Sequence, residues 1–188
     1  FFLKTALPDV AQTQARANHN DVRIWSAGCS TGQEPYTLAM LMMEHFQTNY
    51  PLWRGGVLAT DLSQKTLAIA KEGRYSDKQV KALPGHLVMR YLKKKDKDSW
   101  MINSAVKKEV TFRRFNLMTR PFPFQYSFHV IFCKNVMIYF GQEALEALVH
   151  RFYRALCPGG YLFIGLSESL GFVVTRFVRV VPGVYRKR

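Results

Sequence analysis

The chain has 188 residues, of which 48% are hydrophobic and 14% aromatic, and its 27 Lys and Arg outnumber its 13 Asp and Glu. This length and composition predict one globular domain with a substantial core, and they exclude a disordered chain, a collagen and a disulfide scaffold. Its longest dense apolar run, residues 38–43, is far shorter than the roughly 18 residues that a membrane-spanning helix needs. We therefore expect no insertion into a membrane.

The cysteines and histidines of the chain favour neither a disulfide framework nor a metal site. The three cysteines are odd in number, well separated and never in a C-x-x-C pair: Cys29, Cys133 and Cys157. We expect a reducing cytoplasm as the location. The five histidines lack metal-ligand spacing, and we expect them at solvent or turn positions: His19, His45, His86, His129 and His150.

The formal net charge of +14 is unevenly distributed. Residues 74–120 contain 13 Lys and Arg against four acidic residues, so this stretch contributes +9. Such a stretch is compatible with a solvated face, with a surface for an acidic protein partner, or with nucleic-acid binding. The charge alone does not choose among these three.

From residue 22 onward, short apolar β-like runs alternate with longer helical segments, which predicts an α/β fold with a parallel sheet. A strand over residues 22–27 is followed by a glycine-containing turn and a helix over residues 34–50. A second strand over residues 56–60 ends at Asp61. Ser63 is then expected to cap a helix that Gly73 terminates.

Residues 74–109 interrupt this alternation with a Pro-Gly pair and a lysine cluster, and we interpret them as a small, irregular inserted subdomain or lid. The pattern then resumes. It predicts strands over residues 110–115, 128–133 and 161–165, with a turn at 158–160, a helix over residues 142–156, and a closing hairpin over 172–180 and 184–188. The sequence therefore predicts a doubly wound, mostly parallel seven-stranded α/β sheet with a small inserted subdomain.

In a doubly wound sheet, ligands bind outside the carboxyl ends of the strands. The turn after the first strand contains Gly28 and Gly32, which tolerate positive φ and let a ligand approach the backbone. It lacks a full G-x-G-x-x-G and the lysine of a P-loop, which argues against NAD and ATP. Asp61, after the second strand, is suited either to accept both hydroxyls of a ribose or to cap the next helix.

The third and fourth strands are followed by Asn116 and Leu117 and by Cys133, Lys134 and Asn135. Each group, taken alone, is compatible with ordinary turn chemistry. Together, four strand ends that converge on one crevice favour an adenosine-containing ligand without a phosphate.

Five segments of the chain resemble the bacterial chemoreceptor glutamate methyltransferases, the CheR family. They are residues 25–36 (WSAGCSTGQEPY), 59–61 (ATD), 116–117 (NL), 133–140 (CKNVMIYF) and 165–169 (GLSES). The resemblance implies a class I S-adenosylmethionine (SAM)-dependent methyltransferase fold over residues 22–188. This domain is normally preceded by a small helical domain, for which residues 1–21 would be the linker.

The resemblance also implies which residues form the site. The expected SAM-binding residues are Ala27, Gly28, Glu34, Asp61, Leu62, Asn116, Leu117, Cys133, Lys134 and Asn135. Within this set Glu34 would line the methionine part, Asp61 would hold the ribose and Leu117 would border the adenine. Tyr139 would point toward the transferred methyl group as the catalytic residue, although it is also compatible with a core aromatic role.

The activity implied by the resemblance is methyl transfer from SAM to glutamate carboxylates of chemotaxis receptors, which gives glutamate methyl esters and S-adenosylhomocysteine (SAH). The partner would be the acidic helical cytoplasmic region of those receptors, and the basic stretch would steer the encounter. We expect a monomer that binds no nucleic acid.

Some positions depart from the family pattern. Leu3 stands where the family usually carries Arg after an aromatic pair, and further departures are Gln33, His129, Lys134 and Leu166. Because of these departures, a second possible function is that of a non-catalytic relative that binds SAM without transferring its methyl group. The positive charge keeps a nucleic-acid methyltransferase as another.

Overall fold

The computed structural model describes residues 1–171, 173 and 175–188. The strands are β1 Asp21–Ala27, β2 Arg54–Asp61, β3 Arg74–Ser76, β4 Leu92–Asp96, β5 Ser99–Ile102, β6 Val110–Arg114, β7 Phe128–Cys133, β8 Leu156–Ile164, β9 Phe177–Val181 and β10 Val184–Lys187. The helices are α1 Leu7–Arg16, α2 Gln33–Phe46, α3 Gln64–Glu72, α4 Asp77–Val80, α5 Gly85–Tyr91, α6 Ser104–Lys108 and α7 Gln142–Ala155. A π-helical turn, Phe2–Ala6, leads into α1, and 3₁₀ turns occupy Gln47–Leu52 and Met137–Tyr139.

Seven strands form one sheet in the order β6-β2-β1-β7-β8-β10-β9. Neighbouring strands from β6 to β8 are parallel, whereas β10 is antiparallel to both β8 and β9. This arrangement confirms the predicted doubly wound, mostly parallel α/β sheet. The chain winds outward in opposite directions from β1 and β7, so the topological switch point lies between these two strands.

The two faces of the sheet bury different clusters because side chains alternate along each strand. In β1, Val22 and Ile24 face a core shared with α1, α2 and α3, whereas Trp25 and Ala27 face a core shared with α7. Five phenylalanines surround Trp25 with ring centroids 4.7–5.9 Å away: Phe115, Phe122, Phe124, Phe128 and Phe152. The Trp25 indole N–H donates to Thr60 Oγ1 at 2.9 Å, so its polar atom is satisfied inside the core.

The connection from β6 to β7 crosses the second face without a regular helix in the described residues 115–127. Parallel strands usually need a crossover helix to cover such a face. Here Phe115, Phe122 and Phe124 cover part of it by packing against Trp25.

The inserted region is regular rather than irregular, because its strands form a second, antiparallel sheet in the order β3-β5-β4. Local signals build it: Ser76 and Gln79 form a reciprocal capping box on α4, and Asn103 caps α6. Leu87 and Ile102 belong to the core of the first sheet face, so the region is packed on the main domain. Its limits as a subdomain at residues 74–109 stay a prediction.

The segment expected to be a linker, residues 1–21, is helical over most of its length. Phe2, Leu7 and Val10 are buried in the core of the first face, which makes this segment part of the packed structure. That it also connects to a preceding helical domain stays a prediction.

Several predicted boundaries hold and others shift. Ser63 caps α3 and Gly73 ends it at φ 63°, as predicted. The helix predicted over residues 34–50 ends at Phe46, and β8 begins at Leu156, so the predicted turn at 158–160 lies within the strand. The hairpin is present but its first strand begins at Phe177; Phe172 and Val174, in the predicted strand, lie outside the described residues.

Within the described residues, no helix has both the length and the apolar character that a membrane crossing requires.

His129 contradicts the expectation that every histidine lies at solvent or in a turn. It sits in β7 with 3% of its surface exposed, and its Nδ1 accepts a hydrogen bond from the Arg23 backbone N–H at 3.0 Å. Burial, reinforced by the charge of Arg23, lowers the pKa of His129 from 6.5 to about 4. The imidazole is therefore neutral in the folded chain at neutral pH.

We expect His129 to make the chain less stable in mild acid. Between pH 6.5 and 4.5 the unfolded chain takes up a proton at this side chain and the folded chain does not, so the free energy of unfolding falls by about 2 kcal/mol. The variant His129→Asn keeps an acceptor for the Arg23 N–H but does not titrate. Urea unfolding at both pH values should show a smaller loss in the variant, and equal losses would contradict the assignment.

Candidate functional site

The carboxyl ends of the parallel strands form one continuous edge, held together by contacts between successive strand ends. The Phe115 N–H, after β6, donates to the Asp61 carbonyl of β2 at 3.0 Å. Ser30, after β1, donates its backbone N–H to Asp61 Oδ2 at 2.8 Å. Lys134 Nζ, after β7, lies 3.9 Å from Glu34 Oε2 in the first turn of α2. The residues predicted to form the site thus follow adjacent strands, and we call this region the switch-point crevice.

The turn between β1 and α2 is shaped by positive φ angles of 83° at Gly28, 49° at Ser30 and 92° at Gly32. A Cβ at Gly32 would lie 2.8 Å from the Ala70 Cβ, and one at Gly28 would overlap the Val136 side chain. Both glycines are therefore required by the backbone conformation and by close protein neighbours. The tight turn starts α2 directly at the crevice.

Glu34 links two sides of the crevice. Its Oε1 accepts a hydrogen bond from Ser26 Oγ at 2.8 Å, and its Oε2 faces Lys134. Burial raises the pKa of Glu34, while the Ser26 hydrogen bond and the Lys134 charge act in the opposite direction. Because Lys134 Nζ is 3.9 Å away, it neutralises the negative charge of Glu34 only in part. The Glu34 carboxylate is therefore suited to bind a cationic group of a ligand.

Asp61 is held rigidly at the end of β2. Its Oδ2 accepts from the Ser30 N–H, and its Oδ1 accepts from the Ser63 N–H at 2.9 Å. Thr66 Oγ1 lies 3.3 Å from Oδ1 but is closer, at 3.0 Å, to the Ser63 carbonyl. Ser63, rather than Asp61, is the N-cap of α3, although Asp61 supports that cap. An ionised carboxylate has about four acceptor positions, so Asp61 retains capacity for a ribose hydroxyl.

Beyond β2 and β6, the crevice has an apolar border. Leu62 is 57% exposed beside Asp61, and Leu117 is buried against the core around Trp25. The Asn116 side chain is exposed, and its Oδ1 accepts from the Met118 N–H at 2.9 Å. This is the local hydrogen bond expected if Asn116 is an ordinary turn residue. The amide still presents its NH₂ group as a donor.

The segment after β7 combines a buried thiol with exposed polar groups. Cys133 is fully buried beside Ala27 in the core, and burial raises the pKa of its thiol, so it is uncharged at neutral pH. Lys134 and Asn135 are exposed, and Asn135 adopts φ 58°. Tyr139 is 80% exposed, so its alternative interpretation as a core aromatic is wrong.

Glu168 is a site residue to which no role was assigned from the sequence, beyond its place in the GLSES motif. Only 8% exposed, it accepts backbone hydrogen bonds from Gly165 (2.6 Å), Met137 (2.8 Å), Asn135 (3.0 Å) and Ile138 (3.3 Å). This carboxylate fastens the segment that carries Asn135 and Tyr139 to the end of β8. Its signal in the sequence was an acidic residue among small residues directly after a buried strand.

The crevice suits an adenosine ligand that carries a positive charge. It presents Glu34 and Asp61 as carboxylates and Leu62 as exposed apolar surface, and the described residues contain no group of three or more potential metal ligands. These features fit the ammonium and ribose of SAM. Together with the strand order, they define a class I SAM-dependent methyltransferase fold.

Sequence comparison assigns the family within this class. The family model described as "CheR methyltransferase, SAM binding domain" matches residues 2–184, so the chain belongs to this family, whose cofactor is SAM. It is 38% identical over 188 residues to the chemotaxis protein methyltransferase of Borreliella burgdorferi, covering 100% of this chain and 66% of that protein. It is also 38% identical to chemotaxis protein methyltransferase 1 of Pseudomonas aeruginosa, covering 89% of this chain and 63% of that protein.

The chain thus spans slightly less than two thirds of the length of these relatives. Among solved structures, the Rickettsia typhi protein PKMT2 in complex with AdoHcy aligns with a TM-score of 0.47 and 16% identity, over 77% of this chain and 21% of that one. The family assignment rests on the sequence matches.

Removing the Glu168 carboxylate should destabilise the chain. In Glu168→Ala, backbone N–H groups lose their acceptor, and a buried unsatisfied donor costs about 1–3 kcal/mol. We expect the free energy of unfolding to fall by about 3 kcal/mol, with a smaller loss for Glu168→Gln, measured by urea unfolding. The control is Glu143→Ala in the first turn of α7, where the side chain is exposed. Equal stabilities of Glu168→Ala and this control would contradict the role.

Proposed function

We propose that this chain transfers the methyl group of SAM to glutamate carboxylates of chemotaxis receptors, giving glutamate methyl esters and SAH. The observation that carries the proposal is the arrangement of the switch-point crevice. Glu34 lies beside Lys134, in the segment of the exposed Tyr139, and Asp61 binds the turn that leads to Glu34. Membership of the CheR family and relatives named chemotaxis protein methyltransferases support it. The receptor, the glutamate and the cytoplasmic location are parts of this proposal.

Holding the cofactor is the task that we assign to residues along the crevice. Asp61 would bind the ribose, Glu34 the ammonium end, and Leu117 the adenine. Two backbone N–H groups orient the Asp61 carboxylate and Ser26 orients that of Glu34, so these side chains need little further ordering when the cofactor binds. Bound SAM supplies an electrophilic methyl group on a sulfonium ion.

Positioning of the acceptor carboxylate is the task left to the segment after β7. A glutamate with an ordinary pKa of roughly 4.3 is ionised at neutral pH, so the reaction needs no general base. Tyr139 would orient the carboxylate through its phenol and take no proton in the reaction. Alignment and desolvation of two reactants can contribute roughly 7–11 kcal/mol to lowering a barrier.

A non-catalytic SAM-binding role is the second candidate, and the position of Leu3 favours it. Phe2 packs with ring centroids 5.4 Å from Phe132 and 6.1 Å from Phe163, near the carboxyl ends of β7 and β8. Leu3 therefore lies in a turn close to the crevice, where the family usually carries Arg. Lys4, the next residue, is exposed but lacks the planar fork of a guanidinium.

A methyl-transfer assay separates these functions. The chain is incubated with methyl-labelled SAM and the cytoplasmic fragment of a chemoreceptor, and we expect label that alkali releases as methanol. Asp61→Ala should weaken SAH binding at least tenfold by calorimetry and abolish labelling. Tyr139→Phe should lower labelling at least tenfold while SAH binding changes less than threefold.

Two outcomes would contradict the proposal in different ways. SAH binding without any labelling of the receptor fragment would support the non-catalytic role. Alkali-stable label that appears on added nucleic acid instead would support a nucleic-acid methyltransferase.

The lysines around β4 are expected to steer an acidic receptor. Lys93, Lys95 and Lys97 are exposed, whereas Lys94 pairs with Asp77 at 2.6 Å. Reversing the first three to Glu should slow association with the receptor fragment several-fold at low salt, with a smaller effect at high salt. The control reverses three exposed arginines, Arg16, Arg179 and Arg188, and so changes the net charge equally. Equal association rates for both triple variants would contradict local steering.

A further inference from the structure

A cavity of about 530 Å³ lies between α7 and residues 120–127 of the connection that leads to β7. This volume falls within the range of about 300–1,000 Å³ that ligand sites occupy. The lining residues of α7 run from Ala147 to Ala155, the last residue before β8, so the cavity lies toward the amino ends of the strands. It is thus separate from the switch-point crevice, and we call it the α7 groove.

The walls of the α7 groove are aromatic and its charges are all positive. Phe122, Phe124 and Tyr126 supply apolar surface, and Tyr126 is 65% exposed. The cationic lining residues are Arg120, Arg151 and Arg154, with His150 beside them. Among the described residues, no Asp or Glu lines this cavity, and none of these three arginines forms an ion pair.

Arg151 has a polar atom without a partner. Its guanidinium carbon lies 5.4 Å from the centre of the Phe122 ring, and one terminal nitrogen donates to the Leu117 carbonyl at 3.0 Å. Its Nε is buried and lacks a hydrogen-bond partner in the described chain. Burial and the charge of Arg120 lower the pKa of Arg151, as expected for neighbouring cations with no anion between them. A carboxylate in the groove would offset the repulsion between Arg151 and Arg120.

The fold explains why this space is left open. A crossover between parallel strands is usually a helix that packs beside its neighbours. In the described residues 115–127, irregular chain with three phenylalanines takes that place and packs toward Trp25. The side of α7 that carries Arg151 and Arg154 is therefore only partly covered.

We propose that the α7 groove binds an acidic peptide segment that carries an aromatic side chain. The ring would lie against Phe122, Phe124 and Tyr126, and the flanking carboxylates would pair with the arginines. Arginine suits this task because its planar guanidinium binds carboxylates in a bidentate manner and stacks on aromatic rings.

A nucleotide is a weaker candidate for the same space. Phosphate sites are usually built from backbone N–H groups at the start of a helix, where the helix dipole is positive. The groove lies beside the carboxyl-terminal half of α7, where the dipole is negative and only side chains supply positive charge. The proposal does not depend on methyl transfer.

The test uses the full chain and a fluorescein-labelled pentapeptide, Asp-Glu-Phe-Asp-Glu, with fluorescence anisotropy as the readout. We expect saturable binding that weakens at least tenfold in the double variant Arg120→Gln, Arg154→Gln. Both side chains are exposed, so the variant should fold. The control, Lys93→Gln with Lys95→Gln, removes the same charge elsewhere and should change binding less than twofold. Replacing Phe by Ala in the peptide should also weaken binding at least tenfold.

Several results would overturn the proposal. Equal weakening in the two double variants would show attraction by net charge alone. No binding of the peptide, with arginine-dependent binding of ADP, would assign the groove to a nucleotide. A dimer in sedimentation that the arginine variant dissociates would assign it to a second copy of the chain.

Discussion

The buried carboxylate of Glu168 is the interaction on which the order of the candidate site depends. A carboxylate in a protein interior is costly unless it is fully hydrogen-bonded. Here it accepts from backbone N–H groups in the loops that follow β7 and β8. These donors belong to loops that carry no regular ladder of their own. Because Asn135 and Ile138 are both fixed to Glu168, the exposed Tyr139 projects from an anchored segment. The Tyr139 side chain is therefore exposed while the backbone that carries it is held in place.

The other half of the crevice is ordered by the same means. Asp61 binds the turn after β1 on one oxygen and the start of α3 on the other, and Glu34 is held by Ser26. These carboxylates thus accept hydrogen bonds from backbone N–H groups or, for Glu34, from a serine hydroxyl, and they retain acceptor capacity toward the crevice. The positive φ angles at Gly28 and Gly32 permit this packing, because a side chain at either position would collide with Val136 or Ala70.

A structural feature could be predicted from the sequence where the residues that determine it are close together in the chain. The spacing of apolar residues predicts the strands of the main sheet, and the Ser63 cap and the Gly73 stop predict the ends of α3. Each of these signals lies within a few residues. The sheet of the inserted region was missed because β4 is built from consecutive lysines with no apolar alternation. His129 and Glu168 were missed for another reason. Their burial depends on Arg23 and on the segment after β7, which are distant in sequence, and polar residues give no periodic signal of burial.

The positive charge of the chain has two physically different forms. The lysines of β4 are exposed, flexible point charges that act at long range and are screened by salt. Arg151 of the α7 groove lies against the Phe122 ring, and its Nε is already out of contact with water. A desolvated guanidinium acts over a short range and requires a matching acceptor. The net charge of +14 is therefore a poor guide to a partner by itself, and the surroundings of each cation distinguish attraction at a distance from recognition on contact.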